Sequence, residues 1–231
     1  MRYWVVIPAA GFGTRMDAEL PKQYLKILGK TILEHTIGKF YKHPLIEGII
    51  VVIAGTDNHW SKLELATDSK IKQVEGGVER CDSVLNGLQE LNNMADPDDW
   101  VMVHDAARPC VRKEDIDKLI ESVSDHPVGG ILGLPVKDTM KRSNVENSII
   151  STVDRNCLWH ALTPQMFRLS VLHKALGQCR SNDETVTDEA QAIEISGQQP
   201  LLIEGHPDNI KITNHHDLAL AEFYLQQQGS N

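Results

Sequence analysis

The sequence predicts an α/β fold: a three-layer sandwich, with helices on both faces of a mostly parallel central sheet and one protruding β-hairpin arm. Three observations carry this. Short apolar runs recur at Tyr3–Pro8, Ile46–Ala54, Trp100–His104, Gly130–Val136, Leu201–Glu204 and Ile210–Thr213. Amphipathic helical patterns separate most of them, and a parallel sheet needs such crossovers between its strands. One polar stretch, residues 136–155, interrupts the alternation.

The helices can be justified one by one. Thr31-Ile32-Leu33-Glu34 reads as a capping box, in which the threonine and the glutamate three residues on satisfy orphan amides reciprocally. The helix it opens places Leu33, Ile37, Phe40 and Tyr41 on one face, and His43-Pro44 stops it. Further helices are expected at Arg80–Leu91, Lys113–Ser124, Leu169–Cys179, Thr187–Ile195 and His215–Gln227. In residues 136–155, Asp138-Thr139-Met140-Lys141-Arg142 leads into a polar centre at Ser143–Asn147, followed by Ile149–Val153. This pattern is a hairpin turning near Asn144–Asn147. Its outer half is too polar for a core, which leaves an arm reaching a partner subunit or a surface loop.

With 231 residues, 41% of them hydrophobic and 24% charged, the chain is expected to form one domain spanning 1–231. A formal net charge of -9 argues against nucleic acid as the main partner, since duplex binders need a basic face. There is no apolar run long enough to span a membrane. Cys81, Cys110, Cys157 and Cys179 are far apart, with no metal or redox spacing. Reduced thiols, and a strand starting by Tyr3, lead to the expectation of a cytoplasmic protein.

In a Rossmann-like sheet, ligands meet the carboxyl ends of the strands, so the residues just past each strand are the candidates. Past the first lie Ala9-Ala10-Gly11-Phe12-Gly13-Thr14-Arg15 and then Pro21-Lys22-Gln23. Met16 stands where a dinucleotide fingerprint needs glycine, and Tyr24 where a P-loop ending at Gly29-Lys30-Thr31 needs one. The remaining reading is a loop whose glycines let backbone N–H groups approach phosphate, with Arg15 and Lys22 adding charge. A tight turn with two solvated bases is the bland alternative. Asp105 and Arg108 follow the Trp100–His104 run, where a carboxylate can bind ribose or help hold magnesium, or simply cap a helix. Gly76-Gly77 precedes a helix that carries Asp82 and Ser83, and His206–Lys211 sets an acid and a base before an apolar run. None of the ten histidines has metal-site spacing, and they read as packing or surface residues.

Taken together, "AAGFGTRM", "PKQ", "GGVERCDSV", "VHDAARP", "DTMKR", "TVDR", "LWHALTPQ" and "DNIKIT" resemble, in order, the 2-C-methyl-D-erythritol 4-phosphate cytidylyltransferases of isoprenoid precursor synthesis. The resemblance runs from Tyr3 to about Leu225. It implies that Ala9, Ala10, Gly11, Phe12 and Gly13 wrap CTP, and that Gly77 and Ser83 read the cytosine, with Asp82 alongside. Asp105 and Ala106 would face the ribose, and Asp105 a magnesium ion, or another divalent cation, held mainly by the CTP phosphates. Arg15 and Lys22 would stabilise the α-phosphate in its five-coordinate state. Arg155 and Lys211 would hold the methylerythritol phosphate, with Thr139, Arg108 and Asp208 around it. The resemblance also implies a homodimer in which the arm carries Thr139 and Arg155 to the partner's site. Rival readings are a cytidylyltransferase for ribitol 5-phosphate, a nucleotide-binding protein without catalysis, and a dinucleotide oxidoreductase, which Met16 disfavours.

Overall fold

A computed structural model describes residues 1–11 and 20–229. Its centre is a seven-stranded sheet. In chain order the strands are β1 (Tyr3–Pro8), β4 (Ile46–Ile53), β5 (Ile71–Glu75), β6 (Trp100–Val103), β7 (Gly129–Pro135), β10 (Trp159–Arg168) and β11 (Leu201–Glu204). Their spatial order is β11-β7-β10-β6-β1-β4-β5, and β10 alone runs antiparallel to its neighbours. Two small hairpins complete the strands: β2 (Lys26–Ile27) with β3 (Lys30–Thr31), and β8 (Met140–Ser143) with β9 (Ile149–Val153).

Period-2 alternation on the central strands divides the core into two layers. Val5, Ile7, Ile49, Val51, Ile53, Trp100 and Met102 face one side. There they meet Leu33, Ile37 and Phe40 of α1 (Ile32–Tyr41) and Ile116, Leu119 and Val123 of α3 (Lys113–Val123). Trp4, Val6, Ile50, Val52, Val101 and Val103 face the other side. Their partners come from α2 (Arg80–Leu91), α4 (Leu169–Ser181) and α5 (Glu189–Ile195). Each fully buried side chain of this size contributes roughly 1.5–3 kcal/mol of transfer free energy. The last helix, α6 (His215–Gly229), packs Ala221 and Leu225 over Ile27, Ile32 and Ile212.

The capping box is present as expected: Glu34 N donates to Thr31 Oγ1 at 3.1 Å, and Thr31 N donates to Glu34 Oε2 at 2.7 Å. One expectation needs correction, and strands β10 and β5 were not anticipated. Ile210–Thr213 forms no strand; Ile212 N donates to the Ala107 carbonyl at 2.9 Å, and Ile212 is buried against α6 and the β2–β3 hairpin. Its apolar alternation reflects that packing. Strand β10 was concealed by Pro164, which has no ladder donor, and the β7 register breaks between Ala161 and Gln165 around it. Strand β5 is an edge strand whose polar Lys72, Gln73 and Glu75 masked its pattern. Among the described residues no helix is long and apolar enough to cross a membrane, and none of the four cysteines forms a disulfide.

Candidate active site

Chain order reverses at β1. The chain proceeds from β1 to β4 and β5 on one side, then crosses back to β6 on the other. A crevice opens beyond the carboxyl ends of the strands at such a switch point. Here it is a cavity of about 250 Å³, lined by Ala9, Ala10 and Gly11 after β1, Gly77–Arg80 after β5, Asp105–Ala107 after β6, and Lys22, Gln23, Ser83 and Lys211.

Backbone bonds extend the ladders into these loops and so set their positions. Ala9 N donates to Val52 O at 2.8 Å, Gly76 N to Ile53 O at 2.8 Å, and His104 N to Val6 O at 3.0 Å. Buried Gln23 donates from Nε2 to the Ala9 carbonyl at 2.7 Å, docking the Pro21–Gln23 segment on the glycine loop. Lys22 reaches the cavity because Gln23 anchors its neighbour. Gly76 is required sterically, since a Cβ there would lie 2.4 Å from the Ala10 Cβ. Gly77 lies as close to Asp82, whose Cβ would be 2.2 Å away.

Asp105 is the electrostatic centre. It is 8% exposed, and burial alone would raise its pKa. Instead Arg80, Lys211 and Arg108 hold it well below the usual carboxylate range. Arg80 Nε lies 3.2 Å from Oδ1, Lys211 Nζ 2.9 Å from Oδ2 and Arg108 Nε 3.5 Å from Oδ2. The carboxylate is therefore ionised at neutral pH and surrounded by cations that a polyphosphate can recruit.

A buried network fixes that carboxylate's backbone. Asp105 N donates to Thr163 Oγ1 at 3.1 Å, and Thr163 Oγ1 lies 3.0 Å from His104 Nδ1. His104 Nε2 lies 3.0 Å from the Arg108 carbonyl, so Nε2 carries the proton and Nδ1 accepts from the threonine. Burial pushes the His104 pKa down to about 4, which keeps the ring neutral and this tautomer in place. Asn209 Nδ2 donates to the Thr163 carbonyl at 2.8 Å, and Arg108 Nη1 donates to the Asn209 carbonyl at 2.8 Å. The loop bearing Lys211 is thereby locked to the loop bearing Asp105.

The other expected site residues divide into three groups. Ala9, Ala10, Gly11, Lys22, Gly77, Ser83, Asp105, Ala106 and Lys211 all meet at the cavity. Phe12, Gly13 and Arg15 lie outside the described residues. The remainder sit elsewhere in this chain. Asp82 caps α2, accepting from Glu79 N at 3.1 Å and pairing with Arg180 at 3.0 Å. Asp208 is buried, and its Oδ2 accepts from Arg112 Nε at 2.7 Å and Gln228 Nε2 at 3.0 Å. Arg108 lies behind Asp105 as a buried support. Thr139 and Arg155 are exposed at the base of the arm, where Arg155 donates to the Lys137 carbonyl.

Sequence reasoning missed Arg80, Gln23, His104, Thr163, Asn209 and Glu189. Arg80 borders the cavity while Glu189 of α5, itself 1% exposed, grips it through bonds of 2.7 and 3.1 Å. An arginine at the first position of a helix that follows a glycine pair was the available signal. Nothing in the sequence links it to Glu189, 109 residues away.

A glycine loop at the switch point of a mostly parallel sheet places the protein among nucleotide-handling α/β enzymes. The sequence model of the 2-C-methyl-D-erythritol 4-phosphate cytidylyltransferase family matches residues 3–227, and the chain belongs to that family. It is 53% identical over 223 residues to the protein of that name from Vibrio vulnificus (strain CMCP6), covering 96% of this chain and 94% of the relative. It is 52% identical to the Pseudomonas fluorescens (strain SBW25) protein over 217 residues, covering 94% and 92%. The crystal structure of the Francisella tularensis cytidylyltransferase superposes with a TM-score of 0.85 at 39% identity, covering 97% of this chain and all of that one. The crystal structure of the Thermus thermophilus cytidylyltransferase gives a TM-score of 0.80 at 28% identity, covering 98% of this chain and 100% of the other.

Proposed function

We propose that this protein transfers the cytidylyl group of CTP to 2-C-methyl-D-erythritol 4-phosphate, releasing pyrophosphate, as a single-domain cytoplasmic enzyme of isoprenoid precursor synthesis. The observation that carries the reading is that Lys22 and Lys211, from segments far apart in sequence, line one cavity with the Ala9–Gly11 loop and Asp105.

The acceptor phosphate attacks the α-phosphorus of CTP, and pyrophosphate leaves. A phosphate dianion is already a nucleophile, so the reaction needs no general base. The barrier lies in bringing two anions together in line, which positioning and preorganised positive charge lower. Lys22 and Arg15 stabilise the α-phosphate as its charge grows. Gly77 and Ser83 read the base, and Asp105 and Ala106 meet the ribose. Lys211 holds the acceptor phosphate, and moves off Asp105 to do so.

Magnesium fits this donor set through one carboxylate. Among the described residues there is no cluster of three or more potential ligands, but Asp105 is held ionised beside the cavity. Such a site suits an ion carried chiefly by substrate phosphates. When bound, the ion neutralises charge on the phosphates.

We further propose a homodimer in which the arm delivers Thr139 and Arg155 to the partner's cavity. In support, both are solvent-exposed here, and the arm carries exposed Val145, Ile149 and Ile150 at its outer end.

Pyrophosphate release with CTP and magnesium tests the reading, using methylerythritol 4-phosphate, ribitol 5-phosphate or no acceptor. Release only with methylerythritol 4-phosphate is expected. Release favouring ribitol 5-phosphate changes the acceptor, and no release from folded protein that binds CTP removes the transferase reading.

A further inference from the structure

A second cavity, of about 550 Å³, lies between α1, the start of α3 and the end of α6, and shares no lining residue with the active-site cavity. Lys30, Lys39, Lys42 and Arg112 line it, against two carboxylates, Glu34 and Glu114. That is an unusual concentration of positive charge for a chain with a formal net charge of -9. Among the described residues, Lys30, Lys39 and Lys42 make no ion pair. Lys39 is partly buried, and its Nζ donates to the neutral Gln228 amide oxygen at 2.5 Å. Burial lowers the Lys39 pKa, Cys110, Asp208 and Glu114 partly offset this, and Lys42 lowers it a little further. A half-buried ammonium with no carboxylate in direct contact gains when an anion joins it.

The walls add to this field. The first turn of α3 points its N–H groups from Arg112 onward, and no side chain caps them. On α1, Gly38 opens the floor between Lys39 and His35, since a Cβ there would meet nothing within 4 Å. Arg112 also ties the groove to the loop that carries Lys211, through its 2.7 Å bond to Asp208.

We propose that this groove is a second anion site, for a compact polyphosphate, distinct from the CTP site. Several ammonium groups around a cavity of this size match a ligand that packs several negative charges into few atoms. The site stands independently of the cytidylyl-transfer reading, because none of its residues lines the catalytic cavity.

Isothermal titration of sodium tripolyphosphate, without divalent metal, tests it on three proteins: wild type, Lys39→Met/Lys42→Met, and a control with equal charge loss, Lys62→Met/Lys174→Met. Wild type and control should show one more binding event than the groove variant, or affinity at least tenfold tighter at that event. Identical isotherms for all three overturn the site, as does equal weakening in the control, which marks diffuse electrostatics. Should the double variant lose cooperative unfolding, exposed Lys42→Met alone takes its place and must weaken the same event. Pyrophosphate release by the groove variant, measured without tripolyphosphate, is expected to equal wild type, so failure of either reading is visible separately.

Discussion

The Asp105 loop and the 140–153 arm sit at opposite extremes of the same molecule. Around Asp105, three cations surround the carboxylate, and His104, Thr163 and Asn209 lock its backbone in a buried network. Among the described residues, the arm has its own ladder, a turn in which Asn144 Oδ1 accepts from Glu146 N and Ser148 N, and a Lys141–Thr152 bond on its surface. One region is built by the core of its own chain. The other makes sense as part of a site only if a second chain receives it. Rigidity lies where the proposed reaction needs charge placed before substrate arrives, and exposure where the proposed dimer would need reach.

The largest effect is expected at the proposed catalytic cations. Lys22→Ala should reduce kcat by on the order of 10²–10³ with unchanged unfolding, as loss of one preorganised donor does elsewhere. Arg15→Ala should match it. Near-normal kcat in either variant would remove that residue from the chemistry.

Subunit mixing tests the opposite pole. Arg15→Ala and Arg155→Ala proteins should each be nearly inactive. If the arm serves the partner, each heterodimer of the two contains one intact site and regains about half of wild-type activity. Demonstrated heterodimers without rescue would return Arg155 to its own chain and make the arm a surface feature.

A smaller effect is expected where the glycine loops touch. Gly76→Ala brings a Cβ within 2.4 Å of the Ala10 Cβ and 3.0 Å of Ser83 Oγ. It should destabilise by about 1–3 kcal/mol, as overpacking does, and raise KM for CTP more than it lowers kcat. An unchanged KM would show that the loops tolerate separation.

The buried imidazole makes a prediction in pH. Its folded pKa, pushed down to about 4, lies below the unfolded value, so between pH 4 and 6.5 the unfolded chain takes up a proton that the folded chain refuses. Stability therefore falls as pH drops through that window and levels off below it. Across the window wild type should lose on the order of 3 kcal/mol more than His104→Gln. Parallel pH–stability curves would mean that the ring is protonated in the fold. At the far end of the scale, Val145→Ser at the fully exposed arm tip should leave unfolding unchanged and kcat within about twofold.

Much of the architecture was legible because period alone writes it. Alternation along Tyr3–Pro8 and Ile46–Ile53 assigns side chains to the two faces, and the Thr31–Glu34 box starts α1 where the pattern says. The positions just past those strands, from Ala9 to Gly11 and at Asp105, could be named as candidates because strand ends face ligands in this topology. Strand β10 and the segment 210–213 were misread for related reasons. A proline hid a ladder that a break in register accommodates, and a two-residue apolar alternation arose from packing against a helix.

By itself, the sequence determined the six helices, strands β1, β4, β6, β7 and β11, the hairpin arm and the family to which the chain belongs. All of these depend on local period and short motifs. Tertiary structure alone decided that Asp208 turns to Arg112 rather than the cavity, that Glu189 holds Arg80 on Asp105, and that Thr163 ties the Asp105 loop to the loop of Lys211. Those contacts span 25 to 109 residues of chain where they converge on Arg80. Hydrogen bonds and ion pairs over such separations leave no periodic trace, because their partners become neighbours only when the sheet brings their loops to one edge.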